Sequence, residues 1–229
     1  MSTTRPNIDV GTRPSVWRQI QGLLNTINHI LIVLTAFSIT ALAKSLNFQD
    51  TAMHAFLAII GFHVLAAEAL MSHYPINPLT NRFSHRNKSR IHGALQLLGG
   101  SMVLLSGLGK ISQTEEHFTT WHGRVGLAAT FMCGASILGG IVNFFQPKFA
   151  HKVYPPAEIK YRHNLFGMLT FMLGMSAIFL GYRTQFFVKY VDVEYVPAIS
   201  FVTISVATLT MIAPVKALLD KRKYRNRRQ

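Results

Sequence analysis

Ile91-His-Gly-Ala-Leu-Gln-Leu-Leu-Gly-Gly-Ser-Met-Val-Leu-Leu-Ser-Gly-Leu108 decides the fold. The run holds no charged residue and comes close to the roughly 20 residues with which a helix crosses a bilayer. Its second residue is a histidine, which is costly inside a membrane span and marks a functional position. Working outward, Gly22–Ala43, Thr51–Met71, Val125–Phe145, Leu165–Tyr182 and Val196–Val215 have the same apolar character. Six transmembrane helices are therefore predicted. His54, His122 and His163 lie near the starts of the second, fourth and fifth runs, as His92 does in the third.

Composition agrees with a membrane domain. Hydrophobic residues make up 49% and charged residues 14% of the chain, and mean hydropathy is +0.26. In 229 residues, six spans leave little beyond short loops. One all-α integral membrane domain is expected over residues 20–216, between a polar N-terminal segment (1–19) and a basic tail (217–229). Met1–Gln19 lacks the apolar core and cleavage site of a signal peptide, so the first span is expected to act as an uncleaved anchor. Cys133 is the single cysteine and lies in an apolar run, where it reads as a small buried hydrophobe.

A net charge of +14 raises the question of nucleic acid, and the distribution of charge argues against it. Arg5, Arg13 and Arg18 precede the first span. Arg82, Arg86, Lys88 and Arg90 lie between the second and third. Lys148, Lys152, Lys160 and Arg162 lie between the fourth and fifth, and Lys216, Lys221, Arg222, Lys223, Arg225, Arg227 and Arg228 follow the last. The alternate loops hold only Lys44, Lys110, Arg183 and Lys189, together with Asp50, Glu115, Glu116, Asp192 and Glu194. This is the positive-inside pattern, and it places both termini in the cytosol. The basic tail then sets topology or meets anionic lipid.

Alternating topology converts histidine position into pairing. The second and fourth spans enter from the non-cytosolic side, which puts His54 and His122 at one depth. The third and fifth enter from the cytosol, which puts His92 and His163 at the other. Spans of like direction can face each other diagonally in a four-helix bundle, and ligands on facing helices build cofactor sites. Haem suits two such pairs, because the porphyrin supplies the other four nitrogens. Zinc would want a third or fourth protein ligand, and no nearby cysteine or carboxylate completes a set. No Cys-x-x-Cys-His attachment motif is present, so two non-covalent haems b are expected. Ligand levels about 12–14 residues apart would put the irons roughly 20 Å apart. Gly93, Gly99, Gly100, Gly123, Gly126 and Gly167 follow the ligands, either to admit a flat macrocycle or to let helices pack.

Met53-His54, Glu68-Ala-Leu70, Ser89-Arg-Ile-His92 with Leu95-Gln-Leu97, Trp121-His-Gly123 and Tyr161-Arg-His163 together resemble the cytochrome b-561 family over roughly Gly22 to Val215. The order and spacing of the four histidines is the specific part. The resemblance implies six helices with two haems b in the central four, bound by His54 with His122 and by His92 with His163. It further implies electron transfer from cytosolic ascorbate to monodehydroascorbate or ferric iron across the membrane. Lys88, Arg90, Lys160 and Arg162 occupy the region where similar proteins contact ascorbate; topology alone also predicts cations there. Relatives often carry Trp-His-Pro at the first ligand, where this chain has Met53-His54-Ala55.

Other polar residues have plainer readings. His63, nine residues past His54, falls off the ligand face. His29, with Asn25 and Asn28, reads as interhelical hydrogen bonding. His117 reads as a solvated loop residue or a greeting group for an acceptor. Glu68, fourteen residues past His54, should return to the same face, to tune a haem, relay a proton or pair with a loop arginine. The rival classes are a haem-bearing subunit that feeds a protein partner and a histidine-relay transporter. The transporter should show helices broken near mid-span, whereas the interruptions here are at span ends. Family resemblance favours an endoplasmic reticulum or vesicle membrane. A homodimer is compatible with the sequence.

Overall fold

The structure, a computed structural model, describes residues 16–116, 119–145 and 154–226, with 221–226 described for backbone alone. All its regular secondary structure is helical. Helix α1 spans Val16–Ser45, α2 Asp50–Met71, α3 His85–Gln113, α4 Trp121–Phe145 and α5 Pro156–Gly181. A short α6 (Gln185–Tyr190) and a single turn (Val193–Tyr195) lead into α7, Val196–Asn226. The five helices α1–α5 and the Val193–Asp220 stretch are each long and apolar enough to cross a membrane. The chain is a multi-pass membrane protein with six spans.

Local sequence sets the boundaries. Ser84 caps α3 by accepting a hydrogen bond from the Asn87 amide at 3.3 Å. Pro156 opens α5, where its missing N–H costs no helical bond. Between α1 and α2 the chain reverses through Asn47, Phe48 and Asp50, all at positive φ. The Phe48 amide closes this turn on the Ala43 carbonyl at 2.7 Å. After Met71, the Asn77 amide group donates to the Met71 carbonyl (2.9 Å) and the Thr80 hydroxyl to the Ser72 carbonyl (2.8 Å). The loop before α3 is thus tied to the end of α2.

Helices α2, α3, α4 and α5 form a ring in which each packs on the next, while α1 and α7 pack on each other and against α2. Helix α7 also covers α5. The ring closes tightly because glycines replace side chains at its seams. A Cβ at Gly61 of α2 would lie 2.7 Å from the Gly99 carbonyl of α3, and one at Gly100 would lie 2.6 Å from Ile137 of α4. Gly107 meets Thr130 in the same way, and Gly174 of α5 receives the ring of Phe62. Leu97, Leu98 and Leu105 of α3 and Phe131 and Phe144 of α4 point outward, as lipid-facing side chains do.

The middle of α2 departs from α-helical winding. Ile59–Ala66 is π-helical, with i→i+5 hydrogen bonds. Each wider turn advances fewer degrees per residue, so by its end the helix lags an α-helix by roughly a third to half a turn. This corrects the sequence expectation for Glu68. It does not return to the face of His54. It turns to α1, where its Oε1 lies 2.6 Å from His29 Nδ1. The partner is thus His29, not a loop arginine. His29 makes the interhelical hydrogen bond expected of it.

Candidate functional site

Two histidine pairs cross the ring along its diagonals. His54 of α2 and His122 of α4 lie with ring centres 6.0 Å apart and planes at 80°. His92 of α3 and His163 of α5 lie 6.4 Å apart at 86°. A metal bound about 2 Å from a nitrogen on each ring, with about 1 Å more to each ring centre, needs about 6 Å.

Hydrogen bonds fix three of the four rings through Nδ1. His92 Nδ1 lies 2.9 Å from the Ala69 carbonyl of α2, and His122 Nδ1 lies 2.9 Å from the Ala177 carbonyl of α5. His54 Nδ1 lies 3.1 Å from the Ser106 carbonyl and 2.9 Å from the Ser106 hydroxyl of α3. A carbonyl can only accept, so each Nδ1 carries the proton and Nε2 keeps its lone pair. This is the arrangement that orients a histidine toward a metal. Each bond comes from a neighbouring helix in the ring, so closing the ring also aims the imidazoles. The Ser106 hydroxyl donates onward to the His54 carbonyl at 3.0 Å. Ser106→Ala keeps the carbonyl acceptor but loses the hydroxyl. It is expected to lower cofactor affinity at the His54 pair by up to about tenfold, read by titrating the apoprotein.

Glycines line the pairs. A Cβ at Gly181 would lie 3.2 Å from His122 Cε1, and one at Gly140 would lie 3.3 Å from His163 Cε1. At Gly93, beside His92, and Gly126, one turn past His122, a Cβ would meet nothing within 4 Å beyond its own stretch of helix backbone. Gly99 and Gly100 serve helix packing instead, as the second of the two readings of these glycines expects.

The pairs occupy opposite ends of the bundle. His54 is in the second turn of α2, and Ala69, which holds His92, comes fifteen residues later. At about 1.5 Å per residue the levels are roughly 20 Å apart.

The family model for eukaryotic cytochrome b561 matches residues 53–189, which contain all four histidines. The chain belongs to the cytochrome b561 family. It is 29% identical over 185 residues to transmembrane reductase CYB561D2 of Bos taurus, covering 79% of this chain and 82% of that protein. The Mus musculus protein of the same name is 28% identical over the same shares. The Homo sapiens one is 32% identical over 139 residues, or 58% of this chain and 61% of the relative. No solved structure gives a significant match.

Membership in the cytochrome b561 family implies haem b, and the residues present fit it. The ring spacing, the protonated Nδ1 atoms and the glycine clearances all suit an iron porphyrin held between paired imidazoles. Among the described residues no cluster of three or more His, Cys, Asp or Glu offers a competing metal site.

At the end where α3 and α5 begin, Lys88 lies one turn before His92 and Lys160 three residues before His163, each on the ligand's side of its helix. Arg90 is exposed and two residues from His92, on a different face. Arg162 is engaged elsewhere: Nε donates to Glu158 at 2.9 Å, and its guanidinium stacks on Tyr154 at 4.3 Å. The sequence reading missed His73. Its ring centre lies 5.3 Å from that of His92 and 5.5 Å from that of His85. Desolvation, followed by the fields of His92, His85, Lys160 and Lys88, pushes its pKa down to about 4. His73 therefore stays neutral at physiological pH. A histidine directly after a span that ends beside the next ligand was the available signal.

At the other end, Phe48, Asp50, Met53, His54, Lys110 and Gln113 line a cleft beside the His54 pair. Lys110 Nζ is held there by a 2.7 Å bond to the Thr51 hydroxyl. His63 is fully buried within the π-helical segment, and neither ring nitrogen has a partner among the described residues. His117 lies outside the described residues.

Proposed function

We propose that the chain moves single electrons across a membrane, from cytosolic ascorbate to monodehydroascorbate or a ferric chelate on the other side. It is a transmembrane oxidoreductase of the cytochrome b561 family. The observation that carries this reading is the presence of two histidine pairs of equal geometry at opposite ends of one bundle. His54 with His122 would hold one haem b, and His92 with His163 a second. When bound, the haems supply reversible one-electron chemistry.

The chain's own residues do the rest. Ala69, Ala177 and Ser106 orient the imidazoles. Lys88 and Lys160 present positive charge beside His92 and His163, where they attract an anionic donor and orient it by charge-assisted hydrogen bonds. Arg90 and Arg162 add to the long-range field. Lys110 does the same for an anionic acceptor at the opposite cleft. The outward-facing apolar side chains and the glycine-sealed seams keep water out of the space between the pairs. The Lys and Arg distribution orients both termini to the cytosol, and the family resemblance favours an endoplasmic reticulum or vesicle membrane.

The test is a visible spectrum of the purified protein, oxidised and then with ascorbate. Sharp low-spin b-type bands that appear with ascorbate are the expected result. Haem reduced by dithionite but not by ascorbate would overturn the donor and favour a subunit fed by a protein partner. A protein without haem would overturn the whole reading.

A further inference from the structure

Where α1, α2 and α7 meet, they bring together a cluster of buried polar side chains. His29 Nδ1 pairs with Glu68 Oε1 at 2.6 Å. Asn28 donates to the Thr210 hydroxyl at 2.9 Å and to Met71 Sδ at 3.1 Å. Asn28 is fully buried and Asn25 is 6% exposed. Asn25 Nδ2, Asn28 Oδ1 and His29 Nε2 are buried with no partner among the described residues. Orphaned polar groups inside a membrane helix bundle are costly, and they mark a place where a polar guest is accommodated. The cluster is joined to the His92 pair through the backbone. Glu68 directly precedes Ala69, whose carbonyl receives the Nδ1–H of His92.

We propose that His29 and Glu68, within the polar cluster of Asn25, Asn28 and Thr210, form a proton-binding site that loads when an electron reaches the His92–His163 pair. The inference rests on haem b at that pair. In the oxidised state the carboxylate of Glu68 accepts from the neutral ring of His29, and the dyad carries one negative charge. An electron arriving beside His92 adds a second negative charge in a medium of low dielectric, which favours protonation nearby. One proton from cytosolic water then binds at His29 Nε2, and the dyad becomes a neutral carboxylate–imidazolium pair. When the electron leaves, the proton returns. One electron and one proton enter and leave together, and net charge in the membrane stays constant.

The titratable groups around the dyad are few. Helix α1 presents His29 itself, with Arg18 about three turns earlier. Helix α7 presents Thr210 by way of Asn28, and its Lys216 and Asp220 follow further along toward the helix end. On α2, His63 lies five residues before Glu68, and His73 follows the helix end. Helix α3, on the far side of α2, presents His92 to Ala69.

The test is a spectroelectrochemical titration of the full-length haem protein in lipid nanodiscs across a range of pH. One haem in the wild type should shift by up to about 59 mV for each tenfold change in proton concentration. His122→Ala, which keeps the His92 pair, should retain that pH-dependent step. Glu68→Gln and His29→Asn should each flatten it, and Glu68→Gln should raise the potential at alkaline pH because a negative charge is gone. A reduced-minus-oxidised infrared spectrum should show an imidazole change in the wild type that His29→Asn lacks. Potentials independent of pH in the wild type would overturn the proposal without help from any variant. So would an unchanged slope in both variants. In either case two normal haems would leave the proposed function standing, whereas absence of haem would remove both.

Discussion

His92→Ala and His122→Ala should each leave the purified protein with about half of its haem, because under the proposed function each removes one axial ligand from one of two separate sites. The four histidines stand on four different helices, and no ring serves both pairs. An iron left with one imidazole is weakly held, while the other pair keeps both of its imidazoles. Electron passage from ascorbate to an acceptor on the far side should fall to background in both variants, because the sites act in series. The partial activities should differ. His122→Ala should still be reduced by ascorbate at its remaining haem, whereas His92→Ala should be reduced only by dithionite. Haem per polypeptide and reduction by each donor are the two measurements. Full loading in either variant would remove that histidine from the ligand set.

Gly99→Leu should empty both sites at once. A Cβ there would lie 2.8 Å from Leu65 Cβ and 2.9 Å from the Gly61 carbonyl, so the obstruction includes backbone that no rotamer change relieves. Overpacking of this kind costs about 1–3 kcal/mol, and here the relief available is to push α3 away from α2. That seam holds His54 on one side and His92 on the other, and it carries the Ala69 and Ser106 bonds to both rings. A lower thermal midpoint should therefore come with loss at both haems in parallel, unlike the one-sided loss of a ligand variant. Gly134→Ala is the control. Its nearest contact would be Leu104 at an ordinary 3.5 Å, and it should leave loading and midpoint unchanged.

Much of this architecture could be read from residues, because a bilayer leaves few solutions. The second span was expected at Thr51–Met71 and is found at Asp50–Met71. The third was expected from Ile91 and begins six residues earlier, since a helix that leaves the apolar layer continues until a cap such as Ser84 stops it. Diagonal pairing of the histidines followed from alternating direction alone. What could not be read was the winding of α2. The apolar residues of Ile59–Ala66 are compatible with α- or π-helical bonding, and the choice is made by packing: Gly61 onto α3 and Phe62 onto Gly174 of α5. That choice rotates Glu68 from the bundle toward α1. The carbonyls of Ala69 and Ala177 were invisible for a related reason, since a backbone acceptor leaves no residue type to recognise. Ser106 did leave one, a hydroxyl in an apolar run, which reads equally well as a packing residue.

The diagonal arrangement also has a bearing on how the protein is made. Helices leave the ribosome in order, and each histidine pair skips one helix. The His54 pair is complete as soon as α4 has been inserted. The His92 pair must wait for α5, whose Ala177 carbonyl also steadies His122. The nascent chain therefore completes its two histidine pairs in a fixed sequence, the His54 pair first. The fifth helix acts as the latch that completes one site and tightens the other.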